Sequence, residues 1–233
     1  MSKAKRIEQA KAKAHRQHNR RIAATTIGAV LLVAIVAAAV VYRDRAAESP
    51  GPGGDARQAA LASSHSPTLG DAGAKVHIVE FLDPACETCA LFFPLVKQWM
   101  NEAPDKLRLS VRHVAFHQGS DYALRILEAS RNQDKYWQTL EALLASQRQW
   151  VQNHTVQRDR IVPAIAGVGL NMDQLMADMN GMEVLRRIEQ DKNDAIVLKV
   201  SATPEYFVNG RPLPSFGQQQ LTSLVREELD KNY

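Results

Sequence analysis

Lys75 to Leu82 (KVHIVEFL) has the β-branched and aromatic content of a buried strand. Just beyond it lies Cys86-Glu87-Thr88-Cys89, which holds the only two cysteines in the 233 residues. This junction constrains the fold more than any other stretch. Leu91, Phe92, Leu95, Val96, Trp99 and Met100 follow at helical spacing and predict a helix over about Glu87 to Asn101, with both cysteines at its start and Pro94 bending its interior. Side chains at i and i+3 of a helix lie about 5–6 Å apart at Cβ, and a disulfide tolerates Cα separations of about 4.4–6.8 Å. The pair can therefore open and close with little backbone movement. As a staple it is weak, because a four-residue loop gains only about 2 kcal/mol from closure, against about 3 kcal/mol for fifteen residues. A bond that stabilises so little points to reactivity.

Charge divides the chain. Residues 1–21 hold eight Lys and Arg against Glu8 alone, whereas the remainder holds 21 against 24 acidic residues, a net of −3. The basic character is local, and nucleic acid is not an expected partner. Ile22 to Tyr42 is 21 residues without a charge, and about 20 such residues cross a bilayer core as a helix. Residues 22–42 are expected to be a single uncleaved transmembrane helix in the cytoplasmic membrane. The basic flank orients it with the N-terminus in the cytoplasm and the cysteines in the periplasm or outside the cell, where disulfides persist. Residues 43–65, with Ser49-Pro50-Gly51-Pro52-Gly53-Gly54, read as a linker, and the folded domain is expected over 66–233.

Within that domain Leu107 to Phe116 reads as a second strand. Helices are expected over Ser120–Arg131, Lys135–Ser146, Val156–Val168, Met172–Met179 and Glu183–Val200. Strand character returns at Glu205–Val208 and Arg211–Leu213 around an Asn209-Gly210 turn, and Leu221 to Leu229 closes the chain as an amphipathic helix. The class is α/β with a helical block interrupting the sheet order.

Val79-Glu80-Phe81-Leu82-Asp83-Pro84-Ala85-Cys86-Glu87-Thr88-Cys89 and Val200-Ser201-Ala202-Thr203-Pro204-Glu205-Tyr206-Phe207-Val208-Asn209-Gly210 resemble the two signature stretches of the DsbA-like branch of the thioredoxin superfamily. The resemblance covers about residues 66–231. It implies a thioredoxin fold with an inserted helical domain, about 120–198, and a thiol-disulfide oxidoreductase acting on cysteine-containing proteins together with a membrane redox partner. It further implies that Thr203-Pro204 is a cis-proline loop that offers its backbone to substrate. At the position of Glu80 the family carries an acid that moves protons to and from the buried thiol.

From the residues themselves, Cys86 is the expected nucleophile, because a helix N-terminus favours thiolate, and Cys89 is the expected resolving thiol. Glu87 and Thr88 tune the pair. Strongly oxidising relatives carry Pro-His there, and a carboxylate beside Cys86 is expected to raise its pKa, unless Glu87 serves only as a favourable first-turn residue. No cofactor is expected beyond a Cys86–Cys89 disulfide. A zinc or copper site is not expected either, since there is no second CxxC and no compact histidine spacing; His77, His113 and His117 are the nearby candidates. His113 and His117 are expected at surface or loop positions, without a role. Two other functions stay open: a reductase or isomerase kept reduced by a membrane electron donor, and a metal chaperone or assembly factor.

Overall fold

The computed structural model describes residues 52–233. The basic segment 1–21 and the expected span 22–42 lie outside the described residues. Among the described residues no helix is long and apolar enough to cross a membrane. In chain order the elements begin with α1 (Pro52–Leu61), β1 (Thr68–Gly70), β2 (Val76–Leu82), α2 (Glu87–Glu102) and β3 (Leu107–His113). A helical block follows: α3 (Ser120–Ser130), α4 (Tyr136–Ala145) and α5 (Gln147–Trp150), the short hairpin β4 (Val151–Gln152) and β5 (Thr155–Val156), then α6 (Ile161–Ala164), α7 (Met172–Asp178) and α8 (Met182–Leu198). The chain ends with β6 (Glu205–Val208), β7 (Arg211–Pro212) and α9 (Gln218–Asn232).

The main sheet has the order β1-β3-β2-β6-β7. Strand β2 is central, parallel to β3 and antiparallel to β6. Apolar residues occupy both of its faces, and six of its seven residues are buried, so it belongs between two layers. Helix α2 sinks Cys89, Phe92, Phe93, Val96 and Met100 into the core, the i, i+3, i+4, i+7 stripe of a core-facing helix. Leu91, expected on that face, is 73% exposed.

Three expectations need correction. The segment read as linker contains α1, because Pro is tolerated in a first helical turn, where its missing N–H is no loss. Ala60 and Leu61 at the end of α1 pack with Val79, Phe81 and Phe207, and packed structure therefore starts well before Ser66. The helix expected over Val156–Val168 is broken into β5, a 3-10 turn, α6 and a second 3-10 turn. Pro163 falls in the first turn of α6, where its ring and missing N–H prevent a helix from running through from the preceding residues, and the left-handed Gly169 (φ +78°) caps the second 3-10 turn. His113 is fully buried at the end of β3 instead of lying on the surface.

His113 belongs to an ionic cluster that ties β3 to the helical block. Asp191 on α8 accepts from Arg112 Nε at 2.5 Å and from the His113 backbone N–H at 2.8 Å, and lies 2.7 Å from His65 Nε2. Arg112 also meets Asp194, while Glu128 on α3 takes Arg187 at 2.7 Å and lies 3.1 Å from His113 Nδ1. Burial alone lowers the pKa of His113, but the Asp191 and Glu128 carboxylates at 3.3 and 3.1 Å from its ring outweigh it and raise it to about 9. Asp191 is held far below the usual carboxylate range: burial opposes its charge, and the bonds from His113 and His65 override that.

Because the folded-state pKa of His113 is raised, its stabilisation is complete below the ordinary value of 6.5 and is lost as pH rises through about 9. The urea midpoint of the parent protein relative to that of His113→Gln should accordingly fall over that window. Asp191→Asn strands buried cations and should cost about 3–5 kcal/mol in the same measurement; a loss under about 1 kcal/mol would rule out the cluster as the tie between layers.

Candidate active site

Strand β2 delivers the chain into the turn Asp83-Pro84-Ala85, and Cys86 is the N-cap of α2 in extended backbone conformation (φ −79°, ψ 117°). Its sulfur accepts a hydrogen bond from the Cys89 backbone N–H at 3.4 Å, the role a hydroxyl or carboxylate usually fills at a helix start. From the other side the Cys86 thiol donates to the Thr203 carbonyl at 3.2 Å, and the Thr203-Pro204 peptide is cis. The two stretches quoted in the resemblance therefore meet at one sulfur atom. Both cysteines are free thiols.

The hydrogen bond with the Cys89 side chain favours the Cys86 thiolate most. Burial opposes it, and a side-chain hydrogen bond with Thr203 and the Cys89 and Thr88 N–H groups add to it, lowering Cys86 from 9.0 to about 6. The rise expected from Glu87 is not found: its carboxylate is exposed and lies 3.2 Å from His154 Nδ1. Cys89 goes the other way, because burial, the Cys86 sulfur and the Glu80 charge raise it well above 9.0. Cys86 is 5% exposed and Cys89 0%, so the expected nucleophile is the reachable one of the two, although most of it is covered. Beside it runs a groove of about 370 Å³ lined by Thr88, Thr203, Pro204, Tyr206, Leu213 and Phe216.

Glu80 is completely buried on β2, opposite Tyr206 of β6 in the strand register. The Tyr206 hydroxyl donates to Glu80 Oε1 at 2.9 Å, and Oε2 has no hydrogen-bond partner. Burial raises the carboxyl to about 8; the Tyr206 bond works against this and the Cys86 charge reinforces it. At neutral pH Glu80 is mostly a neutral acid with one oxygen uncommitted.

Two positioning residues escaped the sequence reading. Asp83 is buried; its Oδ1 accepts from Ala85 N–H at 2.9 Å, and Oδ2 lies within 3.0 Å of Phe116 N, His117 N, His117 Nδ1 and Ser120 Oγ. It fastens the CxxC turn to the loop after β3. The Asp-Pro dipeptide was a turn signal, but nothing local marks its second oxygen as the hub of a distant loop. Gln147 at the start of α5 donates to the carbonyls of Pro84 and Cys86 at 2.8 and 2.9 Å, locking the helical block onto the same turn. His77, half-buried, bonds Ser110 and Arg108. Among the described residues the only group of three metal-competent side chains is Glu87, His117 and His154, without either cysteine.

A family model described as Thioredoxin matches residues 62–227. The chain belongs to this thioredoxin family. Its fold is of the DsbA type, with the helical block inserted between β3 and β6. The thioredoxin-like oxidoreductase from Silicibacter pomeroyi DSS-3 superposes with a TM-score of 0.64 at 27% identity, covering 76% of this chain and 99% of that one. Disulfide bond formation protein D of Bacillus subtilis (strain 168) is 23% identical over 191 residues, 76% of this chain and 83% of that protein. The Na(+)/H(+) antiporter NhaA of Herminiimonas arsenicoxydans is 31% identical over 157 residues, 67% of this chain but only 24% of the antiporter; the chain thus spans about a quarter of the length of that relative.

Alkylation of the reduced protein by iodoacetamide should follow a single titration with a midpoint at about pH 6, and Cys86→Ser should remove it. A midpoint near the ordinary thiol value of about 8.5 would contradict the N-cap account.

Proposed function

We propose that this protein is an extracytoplasmic thiol-disulfide oxidoreductase that exchanges disulfides with cysteine-containing proteins, anchored by residues 22–42 with its N-terminus in the cytoplasm. The observation that carries the reading is the Cys86 sulfur, set at a helix N-cap 3.2 Å from the carbonyl of Thr203 in a cis-proline turn. Family membership and the likeness to an oxidoreductase and to a disulfide bond formation protein support it.

In the oxidising direction the cycle starts from a Cys86–Cys89 disulfide. A substrate thiolate attacks Cys86 Sγ, the intramolecular bond breaks, and the Cys89 sulfur leaves. Its high pKa calls for a proton, which the neutral Glu80 acid supplies through its uncommitted oxygen. A second substrate thiolate then attacks the substrate sulfur of the mixed disulfide and expels Cys86 as a thiolate. Two thiols become one disulfide and the protein becomes a dithiol, to be reoxidised by a membrane redox partner. The groove along Thr88, Thr203, Pro204 and Phe216 receives the residues flanking the substrate cysteine, with main-chain contacts at Thr203 giving low sequence selectivity.

The depressed thiolate favours this direction over the reductase alternative. Lowering Cys86 from 9.0 to about 6 stabilises the dithiol form at pH 7 by about 1–2 kcal/mol, or about 30 mV for two electrons.

Cys86→Ser should abolish exchange with a model dithiol peptide, and Cys89→Ala should trap mixed disulfides visible on non-reducing gels. Glu80→Gln, which preserves the Tyr206 hydrogen bond, should slow release of Cys89 by about 10²-fold. Parent rates in Cys86→Ser would end the assignment; parent rates in Glu80→Gln would remove Glu80 from the proton path.

A further inference from the structure

Three side chains from three separate elements converge at the start of α2: Glu87 from its first turn, His117 from the loop after β3, and His154 from the turn between β4 and β5. Their donor atoms all lie within 4.8 Å of one another. His154 Nδ1 is 3.2 Å from a Glu87 oxygen, and the two imidazole rings are 6.3 Å apart at their centroids. We propose that Glu87, His117 and His154 form a binding site for a divalent transition-metal ion of the zinc class, separate from the cysteine pair.

The donor set suits the ion. Two imidazoles and one carboxylate are ligands zinc accepts, and a three-residue set leaves the fourth position open to water or a solute. Tetrahedral coordination with bonds of about 2.0–2.2 Å requires donor atoms about 3.3–3.6 Å apart, so the present spread closes by rotamer changes. Glu87 and His154 have that freedom, with side chains 55% and 76% exposed.

His117 is prepared for the role. Its Nδ1 lies 2.9 Å from Asp83 Oδ2, and Asp83 is fully buried and held by backbone N–H groups. A carboxylate behind one imidazole nitrogen orients the ring, sets the tautomer and leaves Nε2 with its lone pair for an ion.

The backbone also keeps His154 close to His117. Val156 N–H donates to the Gln118 carbonyl at 3.0 Å, which ties the hairpin to the residue after His117. Asn153 and His154 both occupy the left-handed region, at φ +49° and +58°, as a two-residue hairpin turn requires. Glycine is the favoured second residue of such a turn, and His154 instead places an imidazole there. An exposed Glu87–His154 ion pair alone stabilises little, and it leaves the convergence of His117 and its buried carboxylate unexplained.

No metal was expected, because the histidines are not compactly spaced along the chain. His154 comes from a hairpin that the helical reading did not contain.

The test is calorimetric titration of zinc chloride into the full chain carrying Cys86→Ser and Cys89→Ser, so that no thiol competes. One ion per chain should bind, and His117→Gln or His154→Gln should each weaken it at least about 10-fold, with unchanged melting of the exposed His154→Gln variant as the folding control. Cobalt bound to the reduced parent protein should show no sulfur-to-metal charge-transfer band. Absence of binding to the thiol-free protein, unchanged affinity in His154→Gln, or a sulfur-to-cobalt band would each overturn the proposal.

Discussion

A sulfur atom does the work of a helix cap here. The first N–H groups of α2 have no partner within the helix, and the Cys86 sulfur accepts from one of them, at Cys89. An anion satisfies those donors better than a thiol does, and the positive end of the helix dipole adds to the preference. The rest of the site maintains this contact. Strand β2 brings the chain to the cap, Asp83 and Gln147 immobilise the turn from the sheet side and the helical side, and Thr203 closes over the sulfur.

Around that cap, three titratable groups are driven apart by their surroundings. Cys86 falls to about 6 because hydrogen bonds to its sulfur outweigh burial. Glu80 rises to about 8 because burial outweighs its one hydrogen bond. Cys89, deeper still, rises well above 9.0. Such separation is what the proposed roles require: a low-pKa sulfur that leaves easily, a deeper sulfur that needs a proton, and a neutral acid with an uncommitted oxygen buried on the central strand.

Much of this was legible in the amino-acid order. The strand Lys75–Leu82, the CxxC at a helix start, the Asn209-Gly210 hairpin and the buried acid at Glu80 are local patterns, and local patterns survive in one dimension. What was missed depends on long-range contacts. Helix α1 looked like linker because Pro52-Gly53-Gly54 dominates its composition, whereas its order comes from Ala60 and Leu61 meeting the sheet. His113 looked like a strand-end surface residue because its carboxylates, Glu128 and Asp191, come from α3 and α8. The Cys86 thiolate was legible from its place at a helix start, but the opposing rise expected of the adjacent Glu87 is not found, because hydrogen bonds visible only in three dimensions dominate at the sulfur. In the fold that charge faces His154, and the sulfur responds to nearer groups.

If the cap favours thiolate as described, the dithiol form of the protein is the stabilised one and its disulfide is a good oxidant. The reduction potential of the Cys86/Cys89 couple at pH 7, from equilibration with glutathione, tests this most directly. A value at least about 30 mV above the roughly −270 mV of a reducing thioredoxin is what the capped sulfur predicts; a value at or below about −270 mV would contradict it.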